Sequence, residues 1–367
     1  MKHQFKFFGL LVLLAMILAA CSPAAATEPA QVSQPTEAAA ATEAAATEAG
    51  AAVPTSLKIV IVNPTEKEQP WNTALLQAMD RVVAAKPHGL DITYTFQEKV
   101  ANSDGVRVMG ELAASGEYGI IWAHDAYPDG LAALGPQYPD IAFVGAGSGY
   151  DPMGDNMYWV NMDLHEAAYL AGVLSAKMTK TNVLGAVAAY PYPNVNEPVN
   201  AFFEGAKSVN PAIVAKMNYI SAWYDPAKAK EAALSEIAAG ADVVYAERFG
   251  PFEAAKEKGV YSIGHMTDQS TLAPETVLTS PVVLWDPTIN AIIDAWWEHT
   301  VNGTPYNAPT DKALVFSMKD GGCDLAPYGA LDSVIPQDVK DLVAKTREDI
   351  ISGKLVIKAN AEEVKGE

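Results

Sequence analysis

From residue 56 onward the chain switches repeatedly between two hydrophobic periods, and that alternation leaves few folds open. Apolar, β-branched runs stand at 57–63 (LKIVIVN), 118–124 (YGIIWAH), 141–147 (IAFVGAG), 242–247 (DVVYAE) and 260–266 (VYSIGHM). A run that is apolar at consecutive positions suits a strand buried on both faces, as in a parallel sheet. Segments 91–98, 182–190 and 213–220 read as further strands. Between them, apolar residues recur at helical spacing in 73–86, 106–116, 131–139, 165–179, 199–211, 225–240 and 252–259. Parallel strands need long crossovers, usually helices. The order therefore predicts parallel sheets covered by helices on both faces. It runs β-α-β-α-β-α-β to residue 147 and then restarts, so two α/β halves are expected. A returning tail reads as a helix at 288–303, a strand near 313–318 and a last helix at 336–354.

The region ahead of this pattern has another character. Lys2 and Lys6 precede an apolar run from Phe7 to Leu18, which ends on Ala19, Ala20 and Cys21. That order is expected of a secretory signal peptide over 1–20, and the run is too short to span a bilayer. Leu18-Ala19-Ala20-Cys21 also resembles the lipobox of bacterial lipoproteins, in which the cysteine carries the lipid. Residues 21–55, rich in Ala, Thr, Glu and Pro, have no large apolar side chains to bury beyond scattered valines and read as a disordered tether. The expected location is the outer face of a cell membrane, held by lipid.

Beyond the tether about 310 residues remain, enough for two ordinary domains. Half of all residues are hydrophobic, so real cores are affordable. The formal net charge of −19 repels phosphate backbones and argues against a nucleic-acid partner. With two cysteines, Cys21 and Cys323, and the first assigned to lipid, no disulfide framework is expected. No phosphate loop, HExxH or CxxC motif occurs. GAGSG at 145–149 reads as a turn at a strand end, and Ser148 lacks a nucleophile-elbow context. The six histidines show no ligand spacing, so neither metal nor cofactor is expected. Nothing makes a positive case for an enzyme.

Open parallel sheets bind ligands beyond the carboxyl ends of their strands. The residues there are Trp71 and Asn72 after the first strand and His124-Asp125 after the third. In the second half they are Tyr190 and Tyr192, then Trp223 and Tyr224 before the helix cap Asp225, then Glu247-Arg248, then Asp268-Gln269. Aromatic faces stack on flat rings or sugar faces, and carboxylates accept from hydroxyls or amines. The candidate ligand residues are thus Trp71, Asn72, Asp125, Tyr190, Trp223, Glu247 and Asp268. Asp225 reads as a helix cap, and the tyrosines read equally as half-buried loop residues.

Three stretches carry a resemblance: PNVNEPVNAFFEGAKSVNP, ISAWYDPAKAKEAALSEIAAGADVV and VYSIGHMTDQSTLAPETVLTSPV. They resemble the basic membrane protein (PnrA-like, Med-like) family of ABC-transporter substrate-binding lipoproteins, over essentially the whole region from Ser56. The resemblance implies a type I periplasmic-binding-protein architecture, two doubly wound parallel-sheet lobes joined by a hinge. The N-terminal lobe would comprise 56–164 plus about 285–318, and the C-terminal lobe 165–284 plus about 319–360. It also implies a purine base or nucleoside as ligand, an ABC permease and ATPase as partners, and a monomer. By motif position Trp71 and Trp223 would sandwich the base, and Asp268 would bond to it. The chain departs from the family pattern at EKEQPWN and at AERFGP, where Glu247 and Arg248 stand. Alternatives are a receptor presenting ligand to a signalling partner, a surface-anchored nucleoside hydrolase, and a binder of another small polar solute.

Overall fold

The computed structural model describes residues 53–125, 127–147 and 152–367. The expected signal peptide, Cys21, nearly all of the tether and the end of the GAGSG turn lie outside the described residues.

The strands are β1 (Ser56–Val62), β2 (Asp91–Gln97), β3 (Ile120–Ala123), β4 (Ala142–Ala146), β5 (Met157–Met162), β6 (Val183–Ala188), β7 (Val214–Tyr219), β8 (Val243–Ala246), β9 (Tyr261–Ile263), β10 (Val277–Thr279), β11 (Pro281–Val283), β12 (Leu314–Phe316) and β13 (Cys323–Leu325). The helices are α1 (Pro70–Ala85), α2 (Gly105–Ala114), α3 (Pro128–Leu134), α4 (Leu164–Met178), α5 (Pro193–Val209), α6 (Pro226–Ala238), α7 (Pro251–Lys258), α8 (Asp286–Asn302) and α9 (Gln337–Ile351).

Two parallel sheets form, one per lobe. The first has the order β12-β5-β4-β3-β1-β2 and the second β10-β9-β8-β6-β7. Pairing within each is parallel throughout. Reading inward from β2 and from β7, the two share one winding, the doubly wound 2-1-3-4-5 order. Its switch points lie between β1 and β3 and between β6 and β8, where such sheets take ligands. A small antiparallel pair, β11 with β13, completes the strand set among the described residues.

The burial of β3, β4 and β8 on both faces, and of β1 from Ile59 onward, matches their unbroken apolar sequence there. Six helices (α1, α3, α5, α6, α7 and α8) begin with proline at their first or second position. Proline costs nothing there, because those N–H groups have no intrahelical partner. One core cluster runs through both sheets and the helices between them, including Leu57, Trp122, Leu170, Phe202, Tyr245 and Ile292. At its centre α4 crosses α5 on two glycines. A Cβ on Gly172 would lie 1.9 Å from the Phe202 carbonyl oxygen, and one on Gly205 would lie 2.1 Å from that of Tyr169.

The structure departs from the periodicity in three places. β5 (MYWVNM) lacks alternation and was not expected as a strand, yet it pairs with both β4 and β12. β10, β11 and β13 have three residues each, too few for a period to register. Helix α5 starts at Pro193 rather than at 199, because Pro198 is tolerated inside it.

The chain end also has a defined place. Asn200 Nδ2 donates to the carbonyls of Asn360 and Glu362, each at 2.8 Å. The Glu367 N–H donates to Ala215 O at 2.8 Å, so the tail covers the edge strand β7. Cys323 is a buried free thiol whose Sγ–H donates to the Asp163 carbonyl at 3.3 Å. Burial pushes its pKa far up.

Candidate ligand-binding site

A cavity of about 580 Å³ opens at the carboxyl ends of both sheets. The first lobe contributes Thr65, Gln69 and Trp71 after β1, Asn102 after β2, Asp125 after β3, and Ala146 and Gly147 at the end of β4. The second contributes Tyr192, Pro193 and Asn194 after β6, Trp223 after β7, Arg248 after β8 and Met266 after β9. Both switch points therefore feed one cavity, whose volume is in the range of small-molecule sites.

The Trp71 wall is built on a histidine. Pro70 opens α1 and puts Trp71 in its first turn. The indole lies flat on His124, with centroids 4.6 Å apart and planes 8° from parallel, and meets Trp285 edge-on at 5.3 Å. Trp71 Nε1 donates to the His124 carbonyl at 3.3 Å. The histidine is fixed in turn: Trp122 Nε1 donates to its Nδ1 at 3.3 Å, and its Nε2 lies 3.1 Å from Trp71 O. Nδ1 is therefore the acceptor and Nε2 carries the proton. Burial lowers the His124 pKa to about 3, so the ring under Trp71 is neutral at physiological pH. One indole face is spent on the histidine, which leaves the other for the cavity.

Around this wall the loop after β1 is held rigid. Asn63 Oδ1 accepts from Thr65 N at 2.7 Å and from Thr65 Oγ1 at 2.6 Å, and Asn63 Nδ2 donates to the His124 carbonyl. Asn72 Nδ2 donates to Asn63 Oδ1, Thr65 Oγ1 and Glu66 O at 3.2, 3.0 and 2.7 Å.

The opposite wall is aromatic and cationic. Trp223 packs against Tyr190 and Tyr192 at 5.1 and 5.8 Å between centroids, and Arg248 Cζ lies 5.7 Å from the indole centroid. Arg248 and Glu247 form a buried ion pair, 7% and 1% exposed at the side chain. Nε donates to Glu247 Oε2 at 2.8 Å and Nη2 donates to Oε1. Ala189 N–H donates to Oε2 at 3.0 Å. Burial raises the Glu247 pKa, and Arg248 works against that rise.

Of the residues expected from sequence, the cavity brings together Trp71, Asp125 and Trp223. Asn72 is wholly buried, and its Nδ2 donates to the 63–66 loop. Tyr190 stands behind Trp223 and Tyr192 as a packing partner. Glu247 is withdrawn behind Arg248. Asp268 is exposed, and its carboxylate accepts from Ser270 N at 2.9 Å within its own turn. None of these four lines the cavity. Conversely Arg248, Gln69, Asn102, Asn194 and Met266 line it. Arg248 carried a legible signal as a charged residue at a strand end; Gln69, Asn102 and Asn194 did not, because polar loop residues are common everywhere, and Met266 did not, because it reads as the apolar end of a strand. Among the described residues no cluster of His, Cys, Asp and Glu could hold a metal ion.

Residues 57–361 match the model of the Bmp family, described as ABC transporter substrate-binding protein PnrA-like. The chain belongs to this family. It is 30% identical over 292 residues to a purine-binding protein of Brucella abortus, covering 78% of each chain. It is 33% identical over 298 residues to a putative ABC transporter glucose-binding protein of Haloferax volcanii, covering 79% of this chain and 71% of that one. A solved ABC-transporter solute-binding protein from Conexibacter woesei superposes with a TM-score of 0.66 at 20% identity, over 84% of this chain and all of that one. The last comparison concerns the fold, a two-lobed periplasmic-binding-protein architecture. Family membership makes the chain the substrate-binding component of an ABC transporter, a role in capture and delivery rather than in catalysis.

Proposed function

We propose that the protein captures a purine base or nucleoside between its lobes, outside the membrane, and delivers it to an ABC permease and ATPase. The observation that carries this reading is the pair of indoles, Trp71 from one lobe and Trp223 from the other, lining one cavity. Two aromatic walls suit a flat ring with two π-faces, which a purine has and a saturated sugar lacks. Asp125, Asn102 and Gln69 supply acceptors and donors for ring edges or ribose hydroxyls. Contacts made to both lobes at once would be fully realised only when the lobes close, and that difference drives closure. The purine-binding relative supports the base, whereas the glucose-binding relative is the reason to test sugars. In the same reading Cys21 carries the lipid anchor and the protein works as a monomer.

Mass spectrometry of the small molecule that copurifies with the protein, followed by calorimetry with guanosine, adenosine, their bases, hypoxanthine and a sugar panel, tests the reading. Binding of purines and silence with sugars is expected. A hexose bound more tightly than any purine overturns it.

A further inference from the structure

We propose that Arg248 selects 6-oxopurines, hypoxanthine and guanine or their nucleosides, over adenine. The inference rests on the purine reading above and deepens it.

The guanidinium carries five N–H donors. Among the described residues three have partners: Nε and Nη2 on Glu247, and Nη1 on the Trp223 carbonyl at 3.2 Å. One N–H on each Nη remains, on a side chain that lines the cavity beside the Trp223 ring; with the Trp223 carbonyl on the Nη1 hydrogen of the Cδ side, these two are the tip of the fork. The fork cannot swing freely. Glu247 holds its long edge and is itself tied down by Ala189 N–H. Behind Glu247, His265 Nε2 lies 3.5 Å from Oε1, while the other ring nitrogen lies 2.7 Å from Tyr245 Oη. A buried ion pair of this kind adds little to stability compared with well-packed apolar residues. Its presence on a cavity wall is accounted for if the arginine is being aimed.

An aimed pair of parallel donors accepts only a pair of acceptors. O6 and N7 of a 6-oxopurine are such a pair, and arginine reads them bidentately. Adenine offers N7 beside an amino group, so a donor would face a donor. A carboxylate or phosphate would also satisfy the fork, but Glu247 already neutralises the arginine and Asp125 lines the same cavity. A neutral ligand with two acceptors suits that charge balance better than an anion.

Calorimetry with hypoxanthine, adenine and 7-deazahypoxanthine, on the wild type, Arg248→Gln and the double variant Glu247→Gln/Arg248→Gln, tests the assignment. The double variant leaves no unpaired buried carboxylate, so it serves if the single one fails to fold. The wild type should prefer hypoxanthine to adenine by roughly ten- to hundredfold, the discrimination of a good bidentate pair. In the variants that ratio should fall toward unity, with hypoxanthine losing more than adenine. Loss of N7 should weaken wild-type binding and matter far less in the variants. Equal affinities in the wild type, or a ratio unchanged by substitution, overturns the inference while leaving the purine reading intact. Failure of every purine to bind sinks both.

Discussion

Trp223 is 39% exposed, which is unusual for an indole and separates a binding surface from a core. Its removal should therefore be felt by ligand more than by the fold. Trp223→Ala is expected to weaken purine binding by about 1–3 kcal/mol, the worth of one base–aromatic stack. The Tm of the ligand-free protein should barely move, because Arg248 bonds the backbone carbonyl of residue 223 and keeps it. A large drop in ligand-free Tm with unchanged affinity in calorimetry would make Trp223 a core residue. Glu236 is the opposite case, a carboxyl on α6 that is 2% exposed and accepts from Asn218 Nδ2 at 3.0 Å. Burial raises its pKa well above the ordinary value of 4.5. A raised carboxyl holds its proton in the folded state after the unfolded chain has released it, so folding loses stability as pH rises above about 4.5. Glu236→Gln removes that loss. Its stability gain over the wild type should grow at about 1.4 kcal/mol per pH unit while the folded wild type retains the proton. Denaturant melts at pH 5 and pH 8 measure it, and an equal difference at both would mean that the carboxyl is not burdened by burial.

The crossing of α4 over α5 illustrates what elements demand of single positions. Alanine is worth about 1 kcal/mol more than glycine inside a helix. At Gly172 the added Cβ would meet backbone of α5 at 1.9 Å, which no side-chain rotation can relieve. The helices must separate, and the net effect of Gly172→Ala is expected to be destabilisation by about 1–3 kcal/mol or more. Gly110 in α2 supplies the control. Its Cβ would touch only Leu134 Cδ2 at 3.5 Å, an ordinary contact. There the propensity term should win, and Gly110→Ala should stabilise by up to about 1 kcal/mol. Urea titrations of the two variants report the signs, and a stabilising Gly172→Ala would show that α4 and α5 do not touch there.

At the scale of the whole molecule the cavity belongs to neither lobe. Its lining comes from the strand ends of both sheets, and the main core cluster is continuous through both. Ligand binding should then stabilise the folded region as one unit. At a free ligand concentration a hundred times Kd the gain is about 2.7 kcal/mol. A single calorimetric transition moving upward as a whole is expected. Two transitions, of which ligand shifts one, would mean that the lobes unfold separately and that the site lies within a single lobe.

The sequence by itself determined the two α/β lobes, because hydrophobic period is local and survives without any knowledge of neighbours. It also placed Trp71 and Trp223 at the mouths of two helices, since Pro70 and the Asp225-Pro226 cap mark where those helices start. Tertiary structure decided which strand-end groups reach the cavity. Asn72 and Asp268 have suitable chemistry and stand within two residues of a cavity residue in the chain, but Asn72 is buried with its Nδ2 on the neighbouring loop, and Asp268 is exposed and bonds within its own turn. Of the adjacent pair Glu247 and Arg248, packing buries the acid and presents the base, a choice no spacing rule contains. The three-residue strands and the glycine crossing were likewise decided by partners distant in sequence. Periodicity shows which face of an element is buried, whereas the direction of a loop side chain depends on what packs around it.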